Sequence, residues 1–432
     1  MKQTLKNRVK SYLTFTTAVA VLILAFACNS TKSKQQESSS SSTQNDDSIT
    51  IVTPEYAQGF TVKYLDNGVR LVDVVNHQEG MKKGMKKGMK ESMKDGMKKD
   101  MKKGKHHAQN DSVGEKKREK MPVGYSFALV RKGSKADIPE GYTRVEVPIE
   151  RTICMTSLQL SNFTALDAHD VVKGITSTKN LFDKDIKERV KKGDIVKIGM
   201  EGEFDPELIL AANPDVIFIS PFKRGGYATI KETGILLIPH MGYKELHPLG
   251  QAEWMKFVAM FIGKEKEANE LFDGIAKRYN ELKALVEKTD TRPTVFSGEM
   301  HGGNWFAVGG RNHLAQMFRD AGATYILDND ETGGTPIEYE QMYATAANAD
   351  YWRILNSYPG DFSYEALKRS EPRNELFKAF KEKHVIYCNM KQTPYYEITP
   401  VQPDVLLKDL VAIFHPEVLT EDYQPKFYRL LK

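Results

Sequence analysis

The sequence predicts an α/β protein built as two α/β lobes joined by one long rigid helix, with a β-hairpin extension in front. Three observations predict it. From about residue 145 onward, apolar strand-like runs alternate with segments of helical periodicity, the pattern of layered α/β structure. Across 265–288, Ala268, Leu271, Phe272, Ile275, Tyr279, Leu282 and Val286 recur every three or four residues while the other face is charged. That is an amphipathic helix of roughly 24 residues, about 36 Å long, with α/β segments on both sides of it. Finally, residues 50–75 alternate in polarity around Asp66-Asn67-Gly68, and Asn-Gly between alternating apolar residues is a strong hairpin signal.

At the N-terminus, Lys2, Lys6, Arg8 and Lys10 precede an apolar run from Ala18 to Ala27. The run is short of the about 20 residues that a membrane-spanning helix needs, and it fits the apolar region of a signal peptide. It ends Leu24-Ala25-Phe26-Ala27-Cys28, which resembles the bacterial lipobox, although Ala25 stands where Leu is usual and Phe26 is bulky. The resemblance implies lipidation of Cys28 after removal of 1–27; an uncleaved anchor and an ordinary signal peptide are the alternatives. Residues 28–49 are Ser-rich and polar, a solvated tether with too little apolar surface to fold.

Residues 50–144 form the extension, and an unusual repeat interrupts it at 77–110. Met recurs at 81, 85, 89, 93, 97 and 101 between lysines, with Gly at 84, 88, 96 and 104. A four-residue period roughly tracks a helix, but each Gly costs about 1 kcal/mol against Ala there. The plain reading is a solvated loop insert. Soft-metal binding by the thioethers with His77, His106 and His107, and lysine contact with anionic lipid, are the sharper ones.

The net charge of +5 hides an acidic body. With the four positives of the leader and the net +8 of residues 81–105 taken away, the remainder stands at about −7. That argues against nucleic acid as a partner. Besides Cys28, the cysteines are Cys154 and Cys388, both in apolar strand-like runs on different lobes, so two buried free thiols are expected.

In the first lobe (145–264) the pattern predicts strands at 152–156, 171–174, 215–219 and 235–238, and helices at 157–168, 206–212 and 227–233. The connecting helix occupies 265–290. In the second lobe (291–400), strands are expected at 293–297, 305–308, 350–355 and 384–388, and helices at 312–321, 339–347 and 373–381. A helix at 403–413 opens a C-terminal segment, 401–432, expected to return to the first lobe.

Several motifs now converge. Phe204-Asp205-Pro206-Glu207-Leu208 leads through Asn213-Pro214-Asp215-Val216-Ile217-Phe218; Gly309-Gly310-Arg311-Asn312-His313-Leu314 precedes Ala321-Gly322-Ala323; Gln402-Pro403-Asp404-Val405-Leu406 leads into Phe414-His415-Pro416-Glu417. In this order, over about 145–432, they resemble the class III periplasmic binding proteins that serve ABC importers of siderophores, haem and vitamin B12. The resemblance implies a monomeric receptor on the periplasmic side of a bacterial membrane, inner or outer unresolved, with a membrane anchor, an ABC permease as partner and no cofactor of its own. It also implies that one surface Glu per lobe docks to the permease. Glu207 matches the first position and Glu340 the second, with Glu338 a rival; helix-start acids complementing the dipole account for the same residues.

Ligand groups are expected at strand ends facing the cleft between lobes. The first loop offers Thr156 and Ser157 at a helix start. The second offers Phe222, Arg224 and Tyr227 in a Gly-rich loop, with Arg224 as a fork for an anion. The third offers His240 and Tyr243, the fourth His301 and Trp305, and Lys391, Tyr395 and Tyr396 close the far wall. Aromatic faces, cationic groups and His or Tyr ligands suit a ferric chelate or haem. The expected function is therefore capture of an iron chelate for a permease, with cobalamin binding or a tetrapyrrole chelatase on the same scaffold as alternatives. No Gly-x-Ser-x-Gly, His-Glu-x-x-His or phosphate loop is present, and no enzyme is expected.

Overall fold

The alternation at 60–75 folds as read. Strands β1 (Phe60–Tyr64) and β2 (Arg70–Val75) pair antiparallel, and Gly68 takes the left-handed backbone that the turn requires, at φ +80°. In this computed structural model the described residues are 50–76, 124–200, 203–221, 227–419 and 423–432. The leader, Cys28, the tether, and the Met/Lys repeat with His77, His106 and His107 lie outside them, as do Phe222 and Arg224.

The extension is more than a hairpin. β3 (Gly124–Arg131) pairs antiparallel with β2, and β4 (Thr143–Val147) pairs parallel with β3, giving a four-stranded sheet β1-β2-β3-β4. β4 runs across the boundary expected at 144/145 and pairs with the extension.

The first lobe carries a parallel sheet of order β11-β10-β5-β6-β7. Its strands are β5 (Thr152–Cys154), β6 (Val172–Ile175), β7 (Val196–Lys197), β10 (Val216–Ile219) and β11 (Leu236–Pro239); β8 (Gly199–Met200) and β9 (Glu203–Phe204) form a separate small hairpin. Helices α1 (Ser157–Ala165), α2 (Lys184–Lys192), α3 (Pro206–Ala212) and α4 (Ala228–Glu232) connect them. α3 starts as its motif predicts: Asp205 accepts N–H bonds from Glu207 and Leu208, and Pro206 fills the first helical position.

Two consecutive helices, α5 (Pro248–Ile262) and α6 (Glu265–Val286), form the spine. The 22 residues of α6 run about 33 Å. α5 went unread in the sequence, for a physical reason: nearly every residue of it is buried, so no polar face sets a period.

The second lobe carries a sheet of order β15-β12-β17-β18-β19. β12 (Thr294–Ser297) leads to the hairpin β13 (Glu299–His301) and β14 (Asn304–Val308), which β16 (Gly334–Ile337) completes as a small sheet. β15 (Thr324–Tyr325), β17 (Tyr351–Asn356) and β18 (Val385–Asn389) pair parallel, and β19 (Arg429–Leu430) joins β18 antiparallel. The helices are α7 (His313–Asp320), α8 (Tyr339–Ala346), α9 (Tyr364–Ser370), α10 (Lys378–Lys381), α11 (Tyr395–Ile398) and α12 (Pro403–Phe414). The helix expected at 373–381 is a 3-10 turn followed by the short α10. The C-terminal segment also departs from expectation, because it ends by extending the second lobe's sheet. The buried Asp409 carboxylate holds it there, accepting N–H bonds from Lys426, Phe427 and Tyr428 at 2.6–3.0 Å.

The extension is fused to the spine by two buried carboxylates. Glu253 on α5 accepts N–H bonds from Glu55, Tyr56 and Ala57 at 2.7–3.0 Å. Glu245 accepts from Gln58, Gly59 and the Trp254 indole at 2.9–3.1 Å. Lys256 neutralises Glu253 at 3.0 Å and lies 4.2 Å over the Phe272 ring. The approach is close enough that a Cβ at Gly250 would stand 2.9 Å from the Tyr56 carbonyl oxygen.

Two residues expected at the ligand are core residues. His240 is fully buried, 4.7 Å from the Trp254 ring centroid, with its Nε2 beside Asn162. Trp305 is fully buried against Phe296, Trp352 and Phe377, and its indole N–H donates to the Ser297 carbonyl. An aromatic on the inward face of a strand is spent on packing. Cys154 and Cys388 are both free and buried, one in each lobe's sheet.

Replacing Glu253 by Ala should lower unfolding free energy by about 3–5 kcal/mol in urea titration, because it strands three N–H groups and a buried ammonium. A second outcome follows from His240, whose pKa burial pushes down to about 3. Its ordinary value is about 6.5. The neutral ring's contribution is therefore complete above pH 6.5 and is lost as pH falls below it, at up to about 1.4 kcal/mol per pH unit. Urea midpoints between pH 7 and 5 should show this slope, and His240→Asn should reduce it while leaving the part that His313, also held neutral by burial, contributes.

Candidate functional site

A cavity of about 350 Å³ lies between the two lobes, where strand ends and helix starts of both converge. Volumes in the hundreds of Å³ are those of small-molecule sites. From the first lobe come Thr156, Ser157, Leu158, Ser220 and Tyr243, with Pro248 and Gln251 of α5. The second lobe contributes His313, Leu314 and Met317 of α7, then Tyr395, Tyr396, Thr399 and Leu406.

The first-lobe wall is fixed from behind. The Thr156 N–H donates to Gln159 Oε1 at 2.8 Å, and the Gln159 amide donates to Ser220 Oγ at 2.8 Å. This chain ties the end of β5 to the end of β10. Tyr227 stands behind the same loop, its hydroxyl donating to the Ser220 carbonyl at 2.6 Å, and Tyr243 reaches the Pro221 carbonyl. Tyr227 thus buttresses the wall and is not among the residues lining the cavity.

On the second-lobe side, Asn312 caps α7 by accepting the Leu314 N–H at 2.9 Å, which sets His313 at the cavity. Burial pushes the His313 pKa down to about 4, with the positive charge of Arg353 adding to the effect, so the ring is neutral at pH 7. Tyr395 is buried, and its hydroxyl meets that of Tyr428 at 3.0 Å; Tyr396 beside it is exposed. Asp409 therefore positions Tyr395 at one remove, through Tyr428.

The lobes also touch across the cleft. The Glu397 carboxylate, on α11 of the second lobe, accepts the N–H groups of Phe182 and Asp183 in the first at 2.6 and 2.8 Å. At the spine, the buried Asp320 carboxylate gathers the Tyr279 hydroxyl at 2.8 Å, Lys283 at 3.1 Å and Gln316 at 3.0 Å, and Arg278 pairs with Asp404 at 2.6 Å. These bonds fasten α7 and α12 to α6.

The structure thus brings together Thr156, Ser157, Tyr243, Tyr395 and Tyr396. His301 is exposed on β13 and lines a different cavity, and Lys391 is exposed and outside the lining. Sequence reading missed His313, Met317, Gln251 and Glu397. The first lay inside a quoted motif, but its partners come from α5 and α11, which no linear pattern joins. The described wall carries no formal charge, and Arg224, expected as its cationic group, lies outside the described residues. No group of three or more His, Cys, Asp or Glu residues among the described residues is arranged to hold a metal ion. No helix among them is long and apolar enough to cross a membrane.

Of the expected docking residues, Glu207 is exposed on α3, next in the chain to the exposed Leu208 and one helical turn from the exposed Leu210. Glu340 is exposed on α8 but pairs with Arg373 at 2.9 Å, and Arg373 also pairs with Glu371. Glu338 precedes the same helix as its cap residue and is exposed.

Comparison with known proteins agrees with this architecture. An uncharacterised lipoprotein of Methanocaldococcus jannaschii is 29% identical over 313 residues, spanning 68% of this chain and 73% of its own. A periplasmic binding protein from Veillonella parvula shares the fold with a TM-score of 0.53 at 16% identity, over 69% of this chain and 97% of that one. A periplasmic haem-binding protein from Pseudomonas aeruginosa does so with a TM-score of 0.52 at 17% identity, over 66% and 98%. The periplasmic binding protein profile matches residues 153–391, more than half of the 432 residues. With its two parallel-sheet lobes, helical spine and interlobe cavity, this chain belongs to the periplasmic binding protein family.

Proposed function

We propose that this protein is a lipid-anchored receptor that captures a hydrophobic metal chelate between its lobes and delivers it to an ABC permease. The family supplies the substrate-binding role in transport and sets the chelatase alternative aside. The observation that carries the ligand class is the wall of the interlobe cavity: Tyr243, Tyr395, Tyr396, Met317 and a neutral His313, with no formal charge among the described lining residues. Flat aromatic faces and soft or neutral donor groups favour a planar tetrapyrrole, with haem ahead of a highly charged ferric siderophore. Cobalamin is the second reading, because an uncharged wall also accepts a corrinoid.

The anchor reading rests on Cys28 and its polar tether, and a relative that carries the word lipoprotein in its name supports it. Delivery needs docking. Glu207, exposed near the start of α3, is the first-lobe contact. Glu340 is the second, and Arg373 must release it for a permease arginine to take its place. The Glu397 bridge and the fastened spine support a modest closure around the ligand rather than a wide clamp.

Purified protein titrated with haem should develop a saturable, one-to-one shift of the Soret band. Tyr396→Ala should weaken binding about tenfold, about 1.4 kcal/mol, through loss of ring contact. His313→Ala should change the band position if the imidazole reaches the iron. No binding of haem or ferric chelates, with tight cobalamin binding, would transfer the assignment to the corrinoid. For docking, Glu207→Arg should abolish stimulation of the cognate permease's ATPase in proteoliposomes while leaving ligand affinity unchanged. The same result from Glu338→Arg, with Glu340→Arg silent, would move the second contact to Glu338.

A further inference from the structure

Glu397 makes its bonds to the lobe it does not belong to. Its own place is fixed in the second lobe, at the exit of β18. There the Thr393 hydroxyl donates to the Asn389 carbonyl at 2.8 Å, and α11 begins at Tyr395, whose hydroxyl meets that of Tyr428 at 3.0 Å. The Glu397 carboxylate then reaches the first lobe with both oxygens, one accepting the Phe182 N–H at 2.6 Å and the other the Asp183 N–H at 2.8 Å. None of these residues lies on the spine helices, so the bridge is separate from the joints made by α5 and α6.

The receiving side is fixed in the first lobe. Residues 176–183 follow β6, and the Thr176 hydroxyl donates to the Met155 carbonyl, just past β5, at 3.3 Å. Leu181 is buried, and the Asp183 side chain caps α2 by accepting the Ile186 N–H at 2.9 Å. The start of a helix carries partial positive charge and favours a carboxylate. At α2 the opposite lobe supplies one. Burial raises the Glu397 pKa and the two N–H bonds oppose that rise. Hydrogen bonds to an ionised carboxylate are stronger than those between neutral groups.

The bridge stands next to the cavity wall. Tyr395 and Tyr396 precede Glu397 on the same helical turn and line the interlobe cavity, whereas Glu397 does not. α11 packs on α1, and Thr156 and Ser157 at the start of α1 line the same cavity from the first lobe. One turn of helix moves as a unit, so parting Glu397 from residues 182–183 draws the two tyrosines away from Thr156 and Ser157.

We propose that Glu397 is an interlobe latch: capping α2 from the opposite lobe, it holds the lobes together at the cleft and sets how fast cargo enters and leaves. The latch rests on the transport reading only in taking the interlobe cavity as the cargo site; it does not require haem as the cargo. Its bonds are made within the protein, so it biases the free receptor as well as the loaded one. Breaking it shifts the free receptor toward an open form that is otherwise a minor population.

Electron–electron resonance distances in the full-length protein in detergent test this without cargo. Spin labels at the exposed positions Glu232→Cys and Arg369→Cys report the separation of the lobes, while the buried Cys154 and Cys388 stay unlabelled. The parent should give one dominant distance, and Glu397→Ala should add a population at longer distance. Glu397→Gln keeps one acceptor oxygen and should fall between, and it carries the test should the Ala variant fail to fold. With haem as the probe, Glu397→Ala should release it about tenfold faster in stopped flow, the loss of a bond to a charged group. A distance response to Glu397 without haem binding leaves the latch standing and removes only the haem assignment. The latch is overturned if the variants keep the parent's distances while Tm falls, the result for a carboxylate that only supports its loop. It is also overturned if haem binds and leaves the parent and both variants at the same rate.

Discussion

The burial of α5 is the constraint on which the other parts depend. This helix packs against α6, α1 and the extension, so it touches each part of the described body. A helix covered on all sides leaves no exposed face for polar groups, and the two carboxylates it organises, Glu253 within it and Glu245 before it, must find partners inside. They find them in the backbone of residues 55–59. The charge that burial would penalise is thereby used to fix the chain entering the body. The extension is consequently an integral layer of the described body rather than an appendage, and residues 55–59 are held on the same spine that joins the lobes.

From that spine the cleft is built with little freedom. Asp320 and Asp404 fasten α7 and α12 to α6, and Asp409 holds the C-terminal segment that positions Tyr428 and then Tyr395. Buried carboxylates recur at each of these joints. Asp320 and Asp409 each accept several hydrogen bonds, which is the condition under which a buried charge is tolerable, and Asp404 is paired with Arg278 through one oxygen.

The interlobe cavity and the second-lobe cavity differ in chemistry. The first is aromatic and uncharged among its described residues; the second sets a guanidinium beside a carboxylate. Glu397, bonded to the backbone of residues 182–183, ties the second lobe to the first across the cleft.

By itself the sequence determined the elements whose residues repeat with a period: the hairpin at 60–75, the amphipathic α6, the capped start of α3 and the alternation that makes two α/β lobes. It also marked Thr156, Ser157, Tyr243, Tyr395 and Tyr396 as cleft residues, because strand ends and helix starts are local features. Tertiary structure decided the rest. α5 has no period to read because it is buried all round, and β4 joined the extension because its partner β3 lies across the insert. The C-terminal segment went to the second lobe because a single buried carboxylate, Asp409, draws three N–H groups to it. His240 and Trp305 were withdrawn to the core, and His313 and Glu397 were brought to the cleft, by contacts between residues far apart in the chain. Burial is a property of neighbours, and neighbours of this kind are fixed only when the lobes close on the spine.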